Sequence, residues 1–287
     1  MTDETIQLQT PSKINLTLAI LNRRPDGFHE LESWVAPIGL FDRLSVSPAA
    51  SLELVIHGAE NELTVDSSNL IWLAATALAS AAGLKPAARI ELQKNIPIGA
   101  GLGGGSSDAA ATLLALNRLW QLDWPVERLA PIAESLGSDV TFFLQPGAAV
   151  LRGRGERVEH LGANTHRWVA LIVPPFGLST AAVYAAYAAH PTHRESVARP
   201  WTETNTSSAD LMSRLFNDLE SAAFACEPRL GALHAALNGL DGRPVRMTGS
   251  GSGLFTVFDG RDQAASWAKQ AQTRLPPNAA SHIVETL

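Results

Sequence analysis

The 287-residue sequence predicts an α+β fold built of two domains. Two observations carry that prediction. At about 150 residues per domain, the length suggests two domains or one large one. Neither half alternates strand and helix regularly: the first third reads as strands, and the remainder mixes both types. The division between domains is placed near residue 160, giving 1–160 and 161–287.

The elements follow in order. Ile14, Leu16, Leu18 and Ile20 alternate with Lys13, Asn15 and Thr17, a period-two strand with one apolar face. Arg24-Pro25-Asp26-Gly27 has Pro and Gly where a type I turn wants them. Strands are expected at His29–Ala36, Arg43–Ser47 and Leu52–Ile56. Ser67-Ser68-Asn69 offers N-caps for a helix that ends before Gly83, with Leu70, Leu73, Ala74, Ala77 and Leu78 on one face. Arg89–Lys94 alternates again. A glycine-rich loop leads into a helix over Ser106–Trp120, and a second helix runs from Pro125 to a stop at Gly137. Ala148–His160 reads as a hairpin turning at Gly153-Arg154-Gly155.

Beyond it, a strand is expected near 168–173 and helices near 179–189, 208–225, 228–238 and 262–274. Strands at Val245–Met247, Leu254–Phe258 and Ser281–Glu285 complete the chain. Thr202–Ser208 is polar and reads as a loop. Trp168–Ala189 carries no charge and is long enough to span a bilayer. Pro174-Pro175 and Gly177 divide it, so it reads as a strand, a turn and a helix, with no membrane partner.

Composition excludes several classes. Hydrophobic residues at 46% and charged residues at 17% rule out a wholly disordered chain. A net charge of -6 gives no basic excess, so no nucleic-acid partner is expected. Cys226 is the lone cysteine, and the acidic start Met1-Thr2-Asp3-Glu4 lacks an apolar core for a signal peptide. Both point to a reducing, cytoplasmic compartment. The eight histidines show no zinc motif, since His190-Pro191-Thr192-His193 lacks an acid.

The strongest local signal is Pro97-Ile98-Gly99-Ala100-Gly101-Leu102-Gly103-Gly104-Gly105-Ser106-Ser107, which opens directly into an apolar helix. Glycine lets backbone approach a ligand closely. The helix start adds unpaired N–H groups and the positive end of its dipole. Together they suit the phosphates of a nucleotide, and the two serine hydroxyls suit phosphate or Mg²⁺. Each hydrogen bond to a charged group is worth roughly 1.5–3 kcal/mol. No lysine closes the loop, so it is not a Walker A motif. Gly99-x-Gly101-x-x-Gly104 matches a dinucleotide fingerprint. However, the preceding strand carries Arg89, Glu91, Gln93 and Lys94, and Asn95-Ile96-Pro97 intervenes. The bland alternative is a flexible loop before a capped helix.

Gly137-Ser138-Asp139-Val140 sets one carboxylate after a helix stop and before apolar residues. Taken alone, Asp139 reads as an N-cap and Lys13 as a solvated lysine on a strand.

Taken together, these segments resemble the GHMP kinases, the superfamily of galactokinase, homoserine kinase and mevalonate kinase. The resemblance rests on Pro97–Ala110 and on the second glycine motif, Thr248-Gly249-Ser250-Gly251-Ser252-Gly253. Pro11–Leu16, Arg24–His29, Ser138-Asp139-Val140 and Phe216-Asn217-Asp218-Leu219-Glu220 extend it in family order from residue 11 to 258. The set is most similar to the member that serves isoprenoid precursor synthesis, whose acceptor carries cytidine diphosphate.

The resemblance implies two α+β domains with ATP and acceptor in the cleft between them. It implies transfer of a phosphoryl group from ATP, with Mg²⁺, to a hydroxyl of that small molecule. Lys13 and Asp139 become the catalytic pair. Asn15, Phe28, His29 and Tyr184 become substrate contacts, the aromatic rings lying against cytosine. It names no protein ligand for Mg²⁺ and no oligomeric state. Ser12 stands where the family usually has Ala, and Phe28 where it often has Tyr. The alternatives are another GHMP kinase with a sugar, homoserine or mevalonate as acceptor, and a catalytically silent nucleotide sensor.

Overall fold

The computed structural model describes residues 5–23, 29–59, 62–161, 166–191 and 206–287. The Arg24–Gly27 turn and Phe28 lie outside these residues, as does most of the polar stretch over 202–208.

The chain opens with two long strands, β1 (Ile6–Arg23) and β2 (His29–Ser47). Two strands were expected where β2 runs unbroken. Pro37 does not end it: the Pro37 carbonyl accepts from the Leu287 N–H at 3.0 Å, and Ile38 bridges to Thr286. Then come β3 (Leu52–His57), α1 (Leu70–Ala82), β4 (Ala88–Gln93), α2 (Gly104–Leu119) and α3 (Val126–Leu136). The expected hairpin is β5 (Ala149–Gly153) and β6 (Arg157–His160). After it lie β7 (Trp168–Val173), α4 (Thr180–Ala189), α5 (Ser208–Arg214), β8 (Phe216–Asn217), α6 (Glu220–Cys226) and α7 (Pro228–Leu237). The chain closes with β9 (Arg246–Met247), β10 (Leu254–Phe258), α8 (Arg261–Ala271) and β11 (Ala280–Glu285). Among the described residues, no helix is long and apolar enough to cross a membrane.

The helix expected over 208–225 is broken in two. Leu215 turns extended at ψ 143, and β8 pairs in parallel with β1 at Thr17 and Leu18. The Asn217 side chain takes the Leu219 N–H at 2.9 Å, the kind of local bond with which Asn competes against helix.

Contacts divide the chain into two compact units that interleave along the sequence. The first comprises Met1–Ser12, Leu40–Ile96 and Gly103–Pro146, and the second comprises Lys13–Gly39, Pro97–Leu102 and Gly147–Leu287.

In the first unit, β4 pairs antiparallel with the end of β2 and parallel with β3. Leu44, Val46, Leu54, Ile56, Ile90 and Leu92 face one core, which α1, α2 and α3 cover with Ile71, Leu78, Leu113, Leu116 and Leu129. Asn69 caps α1 by accepting from the Ile71 N–H, and Gly83 ends it in the left-handed region, as the cap residues foretold. Its buried face is Ile71, Ala74, Ala75, Leu78 and Ala79, and Leu73 is exposed. The helix is apolar nearly all round, so its own periodicity does not choose the face.

In the second unit, β11, β7, β10 and β9 form an antiparallel sheet in that order. α8 packs on it through Trp267, whose ring lies 6.2 Å from Phe258 and whose Nε1 donates to the Leu240 carbonyl. β8, β1, β2, β5 and β6 form the unit's other sheet region.

Candidate active site

Alternation made Lys13, Asn15 and Thr17 a polar face of β1. In the structure that face is buried too: Lys13 is 4% exposed and Asn15 5%. Buried polar groups need partners, and a strand places residues two apart on one face. Lys13 Nζ donates to Asn15 Oδ1 at 2.5 Å, and Asn15 Nδ2 donates to Ser33 Oγ at 2.8 Å. Ser33 Oγ donates to the Thr17 carbonyl at 2.6 Å. The solvated-lysine reading of Lys13 fails, and Asn15 reaches Lys13 directly. Ser12 beside them is fully buried, and its hydroxyl finds no hydrogen-bond partner among the described residues.

The two glycine motifs meet at this lysine. The Lys13 N–H donates to the Leu102 carbonyl at 2.9 Å, and the Asn15 N–H donates to Thr248 Oγ1 at 3.0 Å. Between the motifs, the Gly253 N–H donates to the Ala100 carbonyl at 3.0 Å, and Thr248 Oγ1 donates to the Gly101 carbonyl at 3.3 Å. Gly101 has φ 72, and a methyl on it would sit 2.3 Å from the Thr248 carbonyl oxygen. Only glycine permits that approach. A methyl on Gly249 would lie 3.3 Å from Lys13 Nζ.

The loop continues through Gly103, φ 70, which stands at the N-cap of α2. The helix begins two residues before the expected Ser106. No side chain among the described residues caps it, which suits the N–H groups of the first turn to an anion. Ser107 is 2% exposed, and its Oγ has no hydrogen-bond partner among the described residues. A hard hydroxyl oxygen in that condition fits a Mg²⁺ carried by a triphosphate. No cluster of three His, Cys, Asp or Glu that could hold a metal occurs among the described residues.

Against the start of α2 lies a buried ion cluster that the sequence did not disclose. Lys94 Nζ bonds Asp42 Oδ2 at 2.5 Å and Asp108 Oδ2 at 2.8 Å. Thr10 Oγ1 donates to Asp108 Oδ1 at 2.7 Å, and Asp42 Oδ1 accepts from the N–H groups of Asn95 and Ile96. A methyl on Gly104 would sit 2.9 Å from Lys94 Nζ, so this glycine makes room for the ammonium. Burial, then the Asp42 charge, push the Asp108 carboxyl up to about 6 against the lowering effect of Lys94 and Thr10. Burial pulls Lys94 down, but the two carboxylates outweigh it and leave it raised. The available signal was that Lys94 and Asp108 flank the loop; nothing local pointed to Asp42.

Asp139 is half-buried in the turn after α3. Val140 stands at the N-cap of the short 3₁₀ turn Thr141–Leu144, so Asp139 does not hold the position that the bland reading assigned it.

The rings of His29 and Tyr184 lie with their centroids 5.8 Å apart. A third ring joins them: Tyr187, 3% exposed, meets His29 edge-on at 5.9 Å. Tyr184 and Tyr187 are three residues apart on α4, the spacing that sets two side chains on one face. That spacing is legible in the sequence.

The model for the GHMP kinase N-terminal domain matches residues 69–147, and that for the C-terminal domain matches 189–276. The chain belongs to the GHMP kinase family, and it has that family's mixed α/β fold. It is 40% identical over 248 residues to the 4-diphosphocytidyl-2-C-methyl-D-erythritol kinase of Pelotomaculum thermopropionicum, covering 85% of this chain and 86% of that one. To the enzyme of the same name from Bacillus subtilis it is 37% identical, covering 86% of each. A crystal structure of 4-(cytidine 5'-diphospho)-2C-methyl-D-erythritol kinase superposes with a TM-score of 0.75 at 35% identity, covering 97% of this chain and 99% of that one. Homoserine kinase from Cytophaga hutchinsonii reaches 0.73 at 16% identity, a likeness of fold. The chain is therefore an ATP-dependent small-molecule kinase, with ATP as its co-substrate.

Proposed function

We propose that the chain transfers the γ-phosphoryl group of ATP to the 2-hydroxyl of 4-diphosphocytidyl-2-C-methyl-D-erythritol and releases ADP. One observation carries the chemistry: a buried lysine, Lys13, fixed by Asn15 and seated against both glycine motifs. The acceptor follows from identity of 35–40% over most of the chain to kinases bearing that name.

Phosphoryl transfer proceeds through a loose transition state, so positioning and charge stabilisation dominate. Lys13 supplies a preorganised positive charge at the transferring group. Asp139 accepts the proton of the attacking hydroxyl. The N–H groups of the loop Pro97–Gly105 and of the first turn of α2 hold the phosphates. Ser107 Oγ would help hold Mg²⁺, whose charge would offset that developing on the phosphates. His29 and Tyr184 present their rings to the cytosine, and Phe28 serves as a further stacking contact. Cytoplasmic placement accords with the single cysteine.

ADP release, followed with the cytidine diphosphate acceptor beside homoserine, mevalonate and galactose, tests the proposal. Turnover on the first alone is the expected result. Turnover on another acceptor and none on this one refutes it, and none on any refutes the assignment as an active kinase.

A further inference from the structure

Phe216-Asn217-Asp218-Leu219-Glu220, one of the sequence motifs, runs from β8 to the start of α6. In the second unit this segment stands behind the second glycine motif. β8 lies parallel to β1, the strand that carries Lys13. Asp218 fastens it there: its N–H donates to the Leu18 carbonyl at 2.9 Å, and its Oδ2 accepts from the Ile20 N–H at 3.0 Å.

Asn217 is 6% exposed. Its Nδ2 donates to two carbonyls, Met247 at 2.9 Å and Gly249 at 2.7 Å. Its Oδ1 accepts from the Leu219 N–H, so both ends of the amide are held. Glu220 Oε1 accepts from the Met247 N–H at 2.9 Å. One primary amide thus grips the backbone on both sides of Thr248.

That grip matters because of what Thr248 and Gly249 touch. A peptide group is planar, so holding the Gly249 carbonyl fixes the plane between Gly249 and Ser250. Gly249 has φ 56 and no Cβ, so its own backbone torsions are little restrained. The space on its Cβ side ends at Lys13 Nζ, 3.3 Å away, at Asn15 Oδ1, 3.4 Å away, and at the Gly101 carbonyl, 3.1 Å away. Thr248 Oγ1 is the acceptor for the Asn15 N–H. A shift of this loop therefore reaches the Lys13–Asn15 pair and the first glycine motif together.

We propose that Asn217 is a positioning residue for Lys13, acting through the Gly249 peptide it holds. The inference rests on the reading of Lys13 as the charge at the transferring phosphoryl group. A misplacement of about 1 Å near reacting groups costs on the order of 10²-fold in rate. Asn217→Ala, which frees both carbonyls, should lower kcat by about that factor, with both KM values changed by less than about threefold.

The experiment is a double-mutant cycle of Asn217→Ala and Lys13→Met. It measures kcat, both KM values and the folded fraction from melting curves. The expected result is a large loss from each single change and little further loss from Asn217→Ala in the Lys13→Met background. A normal corrected kcat for Asn217→Ala, beside an inactive Lys13→Met, overturns the positioning role and leaves the reading of Lys13 standing. Full additivity also overturns it, because Asn217 then acts by another route. A normal kcat for Lys13→Met sinks the underlying reading, and this proposal with it. Should Asn217→Ala not fold, Asn217→Asp replaces it in the cycle, because it keeps the oxygen that accepts from the Leu219 N–H and loses the donor to the Met247 and Gly249 carbonyls.

Discussion

Replacing Gly101 by Ala tests how closely the two glycine motifs are joined. The residue has φ 72, a conformation that costs an L side chain about 1–2 kcal/mol. The added methyl would sit 2.3 Å from the Thr248 carbonyl oxygen, and 3.1 and 3.2 Å from the carbonyl oxygen and nitrogen of Gly251. Those are backbone atoms and cannot swing aside. The contact must open by about 1 Å before it becomes ordinary van der Waals distance. That movement strains the bond from the Gly251 N–H to the same carbonyl, 2.9 Å, and the bond from Thr248 Oγ1 to Gly101, 3.3 Å. At about 1 kcal/mol for each bond lost, the whole cost is about 3–4 kcal/mol. Total stabilities are about 5–15 kcal/mol, so the variant stays folded. Its melting temperature should fall by about 10 °C, and its KM for ATP should rise several-fold. Gly83→Ala is the control. It has φ 67 and open space around the missing methyl, so it carries only the conformational strain. Chemical denaturation of both variants, with ATP kinetics, decides. If Gly101→Ala costs no more than Gly83→Ala, the packing of Gly101 on Thr248 is refuted.

Further expectations concern single side chains. Asp139→Asn should lower kcat by about 10²–10⁴ with both KM values nearly unchanged, and a corrected kcat within a few-fold of wild type would remove Asp139 from the mechanism. Tyr184→Ala should raise KM for the cytidine acceptor and leave that for ATP alone, since stacking on a base is worth about 1–3 kcal/mol. Ser12→Ala should raise stability by about 1–2 kcal/mol, because it deletes a buried hydroxyl that has no partner among the described residues; a lower urea midpoint would show that the hydroxyl is bonded after all. Asp108 gives a pH signature. Its carboxyl is raised from 3.8 to about 6, so the folded chain binds this proton more tightly than the unfolded one. Its contribution to stability is therefore full below about pH 4 and is lost as pH rises through about 6. Asp108→Asn should flatten that slope in urea midpoints taken across the window, and an unchanged slope would contradict the assignment.

Some of the fold was legible because its causes are local. Asn69 and Gly83 cap α1 as their residue types foretell, and Pro125 and Gly137 bound α3. The glycine loop was readable because few sequences tolerate so many glycines before an apolar helix. The larger departures depended on partners distant in sequence. β2 runs through Pro37 because the C-terminal residues bond there. The helix expected over 208–225 breaks because β8 finds β1, nearly 200 residues earlier in the chain. Asp42 joined Lys94 across 52 residues, and no periodicity links them.

The order of motifs from residue 11 to 258, the caps and the loop chemistry were present in the one-dimensional chain, and they were enough to assign the family. They were readable because turn, cap and close-approach requirements act on neighbouring residues. Folding settled which polar residues are inside. Lys13 sits on an alternating strand, and alternation alone makes its face look solvated. It is buried because Ser33, Thr248 and the two glycine motifs close over that face. Burial is a property of what packs against a residue, and those partners lie up to 233 positions away.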